Sequence, residues 1–232
     1  MTFGLAAEDL TAIFLSLKIA AVASAVSLPF AVAVAYCLAR FRFRGHMLLN
    51  VLVHLPLVLP PVVTGYVLLL VFGRQGSMGI FLEHCCGIVL SFRWTGAALA
   101  AAVMAFPLMV RTIRLAFEQG DHRLEQAAAS LGAPPMGIFL TVTLPLALSG
   151  IISGLVIGFA KALGEFGATI TFVGNIPGQS RTIASSIYSA TQIPEGDSTA
   201  VILALVSVGI SMIALLLSEL LARQVKGQGR AL

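Results

Sequence analysis

Two charged residues stand where charge is expensive. Lys161 and Glu165 lie four apart inside the apolar run 146–172, a spacing that puts both on one face of a helix and within reach of each other. Ionisable groups at membrane depth default to functional candidates. The residue types leave two readings open: an internal ion pair near the end of the run, or a lysine that offers positive charge to a passing anion. Beyond Glu165 come Gly167, Thr169, Thr171, Gly174, Asn175 and Gly178, a small, donor-rich set. Hydroxyls and backbone N–H groups can solvate a tetrahedral oxyanion without a fixed cation that would hold it too tightly for turnover. The same threonines can equally bond their own helix backbone. Lys161, Glu165, Thr169, Thr171 and Asn175 are therefore the candidate pathway residues. Lys18 and Glu219 lie nearer the ends of apolar runs, where long side chains snorkel.

Other chemistries find no matching constellation. Cys85 and Cys86 are adjacent and Cys37 stands alone, without the CxxC spacing of a metal site. His46, His54, His84 and His122 are scattered, none four residues from another histidine or a cysteine, so no metal is expected. No HExxH or intramembrane nucleophile–base pair suggests an enzyme. A phosphate-cradling loop needs Lys followed by Ser or Thr, whereas the three lysines precede Ile19, Ala162 and Gly227. No nucleotide cofactor is expected in this chain.

The elements that position these residues must be membrane helices. Hydrophobic residues make up 58% of the chain and charged residues 10%, against about 25% charged in soluble domains, and the mean hydropathy is +0.99. Crossing about 30 Å of hydrocarbon takes about 20 apolar residues. The runs 11–39, 47–72, 94–117, 146–172 and 200–222 qualify, giving five expected spans in one domain of residues 1–232, with Pro60-Pro61 bending the second. The first run resembles a signal peptide only superficially: it has Glu8 and Asp9 in place of a basic n-region, and it is too long. It reads as a retained span.

Loop charge alternates. Arg40, Arg42, Arg44, Arg111, Arg114, Arg123, Arg223, Lys226 and Arg230 fall on one side, and Arg74, Arg93 and Arg181 on the other. The positive-inside rule then puts the N-terminus outside and the C-terminus in the cytoplasm. The net charge of +4 follows from this distribution and not from a nucleic-acid patch, since no aromatics interleave with a basic cluster.

One cytoplasmic loop, about 118–145, is unusual. Leu124, Ala127, Ala128 and Leu131 recur at helical spacing over 121–131. Asp121 can cap the start, Gly132 can end the helix in a left-handed turn, and Pro134-Pro135 prevents continuation. A passive interfacial helix carries bulky anchors and several basic residues. This one offers alanines and one arginine, a face suited to packing in a protein groove.

The spacing Gln126-Ala127-Ala128, three residues, Gly132, nine residues, Val142, one residue, Leu144-Pro145 resembles the EAA signature of ABC importer permeases. Gln126 replaces the signature's acidic residue, with Glu125 just before it, and Val142 replaces Ile. LVHLPLVLPPVVTGYVLLLVFGRQG (52–76), MAFPLMVRTIRLAFE (104–118) and FAKALGEFGATITFVGNIPGQSRTI (159–183) are similar to the permease subunits of molybdate ABC transporters, the GEFGAT segment also to sulfate and thiosulfate permeases. The resemblance implies an all-α integral membrane protein of the type I importer class with a MetI-like core. It makes the loop a coupling helix seated in a separate ATPase subunit that binds ATP and Mg, with Leu124, Glu125, Gln126, Ala127, Ala128, Gly132, Ala133, Leu144 and Pro145 as the coupling residues. It also implies an external molybdate-binding protein. A homodimer is expected because five helices hardly enclose a route and a two-fold pair would. Sulfate or thiosulfate cargo, and a passive anion channel, are the alternatives.

Overall fold

The computed structural model describes residues 7–194 and 196–228. The side chains of Glu219, Arg223 and Lys226, and all of Arg230, lie outside what it describes, so the snorkelling of Glu219 and the basic C-terminal stretch are not addressed. The described residues form eleven α-helices and one π turn, with no strand among them. An apolar chain in lipid must satisfy its backbone internally, and helices do so segment by segment.

The helices are α1 (Ala7–Arg40), α2 (His46–Val58), α3 (Pro61–Phe72), α4 (Ser77–Cys86), α5 (Trp94–Gln119), α6 (His122–Ser130), α7 (Pro135–Ile138), α8 (Leu144–Leu163), α9 (Gly167–Val173), α10 (Ile183–Ala190) and α11 (Asp197–Gln228). A π turn, Phe139–Thr143, joins α7 to α8. Four stretches are long and apolar enough to cross a membrane: Ala7–Arg40, Trp94–Gln119, Pro135–Leu163 and Asp197–Leu217.

The expected second span is not one gently bent helix. Its halves, α2 and α3, meet at 113°. Each residue before a proline is pushed out of the helical region, and two such residues follow one another: Leu59 has ψ 144° and Pro60 ψ 133°. The fourth span also differs from the expected 146–172. It begins earlier, at Pro135, and its helix stops at Leu163. Gly164 (φ −88°, ψ 7°) and Phe166 (φ −127°, ψ −52°) leave helical geometry before α9 restarts at Gly167.

The core sits around α5, which packs between α1 and α8. Ala97, Ala98, Ala100, Ala101 and Ala105 of α5 are buried with Ala20 and Ala23 of α1. Lipid is as apolar as a leucine surface, so close van der Waals fit and not water exclusion holds such helices together. The α5–α8 contact uses glycine for this. A Cβ at Gly150, Gly154 or Gly158 would come within 2.2 Å of Ala116 Cβ, 2.7 Å of Ile113 Cγ1 or 2.5 Å of Met109 Sδ. At the loop end of the bundle Tyr36 packs edge-on against Phe117 and Phe139, 5.4 and 4.7 Å between ring centroids. That cluster seats the π turn on α1 and α5.

Candidate coupling surface and anion pathway

The loop between α5 and α8 forms the elements its residues imply. Asp121 caps α6 by accepting from the Arg123 N–H at 2.9 Å. Gly132 has φ 85°. Around it Gly132 N–H donates to Ala129 O at 3.0 Å and Ala133 N–H to Ala128 O at 3.1 Å, the paired bonds of a left-handed helix stop. Pro135 then opens α7, the π turn follows, and Leu144-Pro145 begin α8.

Neighbouring residues of α6 face opposite ways. Glu125 turns inward: its Oε1 accepts from Arg40 Nη2 at 2.7 Å and from Thr143 Oγ1 at 2.8 Å, and His122 lies against Arg40. This carboxylate therefore ties the end of α1, the start of α6 and the π turn together. Gln126 is exposed instead. Of the apolar positions, Leu124, Ala127 and Leu131 are exposed and Ala128 is half-buried. Met136 and Leu131, 69% and 89% exposed, extend this uncovered surface past the glycine turn. Arg40, the chief partner of Glu125, was legible in the sequence only as a topology marker.

Deeper in the bundle, Lys161 Nζ and Glu165 Oε2 are 2.7 Å apart. They do not share a helical face as their spacing suggested, because Glu165 lies beyond the end of α8. Its Oε1 accepts from the Ala168 N–H at 3.0 Å, so Glu165 joins the end of α8 to the start of α9. The carboxylate is 2% exposed and Lys161 31%. The break sits against the other broken span. A Cβ on Gly167 would lie 2.7 Å from Pro61 Cβ, and one on Gly65 would lie 2.5 Å from Ala168 O.

The neutral donors are largely occupied. Thr169 Oγ1 donates to Phe166 O at 2.9 Å and Thr171 Oγ1 to Gly167 O at 2.8 Å. Asn175 donates to Ser189 Oγ at 2.7 Å and accepts from Arg181 Nε at 3.2 Å. Arg181 also pairs with Glu8 at 2.9 Å, closing the end of the bundle opposite the α6 loop. Lys161 thus stands as the one candidate pathway residue with a partly exposed charge. Lys18 does more than snorkel: its ammonium lies 3.7 Å from the centroid of the Trp94 ring, a cation–π contact. No three His, Cys, Asp or Glu side chains converge as a metal site among the described residues.

Comparisons with known proteins fit this geometry. Residues 27–227 match the family described as "Binding-protein-dependent transport system inner membrane component". The molybdenum transport system permease protein ModB of Escherichia coli (strain K12) is 56% identical over 212 residues, covering 91% of this chain and 93% of that protein. The ModB of Haemophilus influenzae is 50% identical over 95% of this chain and 98% of its own length. Among solved structures, a bacterial ABC transporter importing the acidic polysaccharide alginate aligns with a TM-score of 0.75 at 15% identity, over 95% of this chain and 80% of that one. The MetNI methionine ABC transporter in inward-facing conformations aligns with a TM-score of 0.73 at 15% identity, over 93% of this chain and 95% of that one. These last two show the fold alone. The chain belongs to the inner membrane components of binding-protein-dependent transport systems, and within them to the molybdenum transport permeases.

Proposed function

We propose that this permease carries molybdate, with tungstate as a second cargo, into the cytoplasm as the membrane subunit of an ATP-driven importer. One observation carries the coupling half of the reading. The α6 surface around Leu124, Ala127, Leu131 and Met136 is uncovered, yet α6 is braced from behind by the Arg40–Glu125–Thr143 bonds. A helix that is stiff toward the bundle and open on its other side can pass a push from an ATPase subunit, which holds the ATP and Mg, to α1 and α8. Two copies related by a two-fold axis would match a pair of ATPases and enclose the route. An external binding protein would deliver the anion at the Glu8–Arg181 end. The relatives named for molybdenum transport support the cargo.

The division of labour follows from size and charge. Molybdate and sulfate share charge and tetrahedral shape, and differ mainly in radius. Telling them apart needs a rigid closed pocket, which a route that must open cannot keep. The binding protein should set the choice, and the permease should pass what is delivered. Uptake of labelled molybdate and sulfate by the reconstituted complex, with and without its binding protein, tests this. Lys161→Gln should lower the flux of both anions by a similar factor. A molybdate preference that persists in a receptor-independent mutant complex overturns the division of labour, and uptake of sulfate alone overturns the cargo. Anion flux without ATP would make the chain a channel.

A further inference from the structure

Two cavities are built by the same three helices. The first is an apolar groove of about 470 Å³ at mid-span, lined by Val26 and Phe30 of α1, Leu52 and Pro56 of α2, and Ala102 and Phe106 of α5. The second is a polar cavity of about 880 Å³ at the α6-loop end, lined by Arg40, Arg42, Arg44, His46, Arg114 and Glu118. Two of these arginines already have carboxylate partners: Arg40 pairs with Glu125 and Arg114 with Glu118. Even so, Arg40 Nε is buried without an acceptor. Arg42 and Arg44 are exposed and have no acceptor among the described residues. They alternate with Phe41 and Phe43, 53% and 43% exposed, in the short non-helical turn between α1 and α2.

The vertical separation is informative. At 1.5 Å rise per residue, Phe30 to Arg40 on α1 and Phe106 to Arg114 on α5 correspond to about 12–15 Å. One leaflet of hydrocarbon is about 15 Å deep, half of the ~30 Å core. An apolar slot one leaflet in from a cationic pocket, with the aromatic rings of Phe41 and Phe43 beside the pocket's arginines as at a headgroup level, matches a single molecule with an anionic head and a long apolar tail.

We propose that these cavities form one binding site for an anionic phospholipid of the leaflet on the α6-loop side. Its phosphate lies with Arg42 and Arg44, and one acyl chain fills the α1–α2–α5 groove. A free oxyanion would use the cavity and leave the groove empty, whereas a lipid uses both. Because Arg40 also holds Glu125, the bound headgroup sits one residue from the brace behind α6. The site does not depend on which anion is transported.

The test uses the whole permease–ATPase complex, equilibrated with equal amounts of phosphatidylglycerol and phosphatidylethanolamine of identical acyl chains. Retained lipid is then counted by native mass spectrometry. Phosphatidylglycerol should be retained over phosphatidylethanolamine. Arg42→Gln with Arg44→Gln should lower its retention by about thirtyfold, the order expected for two basic residues at a membrane surface. Arg42→Lys with Arg44→Lys, which keeps the charge, should preserve most of it and controls for misfolding. Ala102→Phe, which fills the groove and leaves the arginines alone, should lower retention of both lipids. Unchanged phosphatidylglycerol in either the glutamine pair or Ala102→Phe overturns the proposal. Displacement of the lipid by excess molybdate or inorganic phosphate would assign the cavity to a free oxyanion and overturn it too. So would loss of the ATPase subunit in the glutamine pair, which makes the arginines a subunit contact. Efficient disulfide formation between copies carrying Leu52→Cys would assign the groove to a second copy, and the lipid proposal would fall with it.

Discussion

Gly132 allows backbone conformation to be separated from packing. Its φ is 85°, and nothing lies within 4 Å of where a Cβ would stand, so a side chain there strains the turn without clashing. Valine should cost about 1–2 kcal/mol in that conformation, tilting α6, the proposed coupling helix, while the spans still insert. Asparagine visits the left-handed region readily and should keep function. Transport and ATP hydrolysis measured together should show Gly132→Val uncoupled at near-normal protein levels and Gly132→Asn close to wild type. Equal behaviour of the two variants would remove the turn from the mechanism. Glu125 makes the complementary case. Glu125→Ala strips the buried end of Arg40 of its acceptor and Thr143 of its partner, and charge-assisted hydrogen bonds of this kind contribute about 1.5–3 kcal/mol each. Amide exchange over residues 122–130 should speed up in that variant, with the rest of α5 and α8 unaffected. Exchange unchanged from wild type would mean that Glu125 does not brace α6.

At the scale of elements, α5 and α8 approach through the Gly150, Gly154 and Gly158 stripe, and α11 offers a contrast. A Cβ at Gly154 would meet Ile113 Cγ1 at 2.7 Å, whereas at Gly209 it would meet nothing within 4 Å. Overpacking a filled contact costs about 1–3 kcal/mol, and a substitution facing open space stays within about 0.5 kcal/mol. Thermal unfolding in detergent should place Gly154→Leu several degrees below wild type and Gly209→Leu beside it. The reverse order would show that the bundle does not depend on this seam. The two broken elements obey different logic. At Leu59-Pro60 consecutive pre-proline residues forbid helix, while at Gly164–Phe166 the Glu165 carboxylate replaces lost backbone partners by accepting from Ala168.

For the whole molecule, the asymmetry of basic loop residues predicts that the α6 end faces the cytoplasm. Arg42 and Ser77 are both exposed and lie at opposite ends: Arg42 in the turn after α1, near the α6 brace, and Ser77 past the far end of α3. In a background with Cys37, Cys85 and Cys86 replaced, a cysteine at Ser77 should react with an impermeant thiol reagent in intact cells, and one at Arg42 should react only after permeabilisation. Because neither position is buried, the labelling reports sidedness alone. The opposite pattern would invert the topology and move the α6 surface away from any cytoplasmic ATPase.

Membrane residence, the approximate places of the spans and the α6 loop were legible in the residues, since each depends on local composition or on fixed short spacings. Twenty apolar residues must cross or be buried. Asp121, Gly132 and Pro134-Pro135 specify a helix start, a left-handed stop and a block by their own backbone preferences, and the structure reproduces all three. What the residues did not disclose depends on partners distant in the chain. The 113° turn at Pro60 and the break at Gly164 are each tolerated because the other packs against it, Pro61 on Gly167 and Gly65 on Ala168. No reading of either segment alone supplies that neighbour. The same holds for charge. Lys161 and Glu165 are close in sequence, so an ion pair is one of the two readings their spacing leaves open, but the break that places Glu165 beyond the end of α8 is not in that spacing. Arg40 and Glu125 are 85 residues apart, and only folding made this arginine the support of α6.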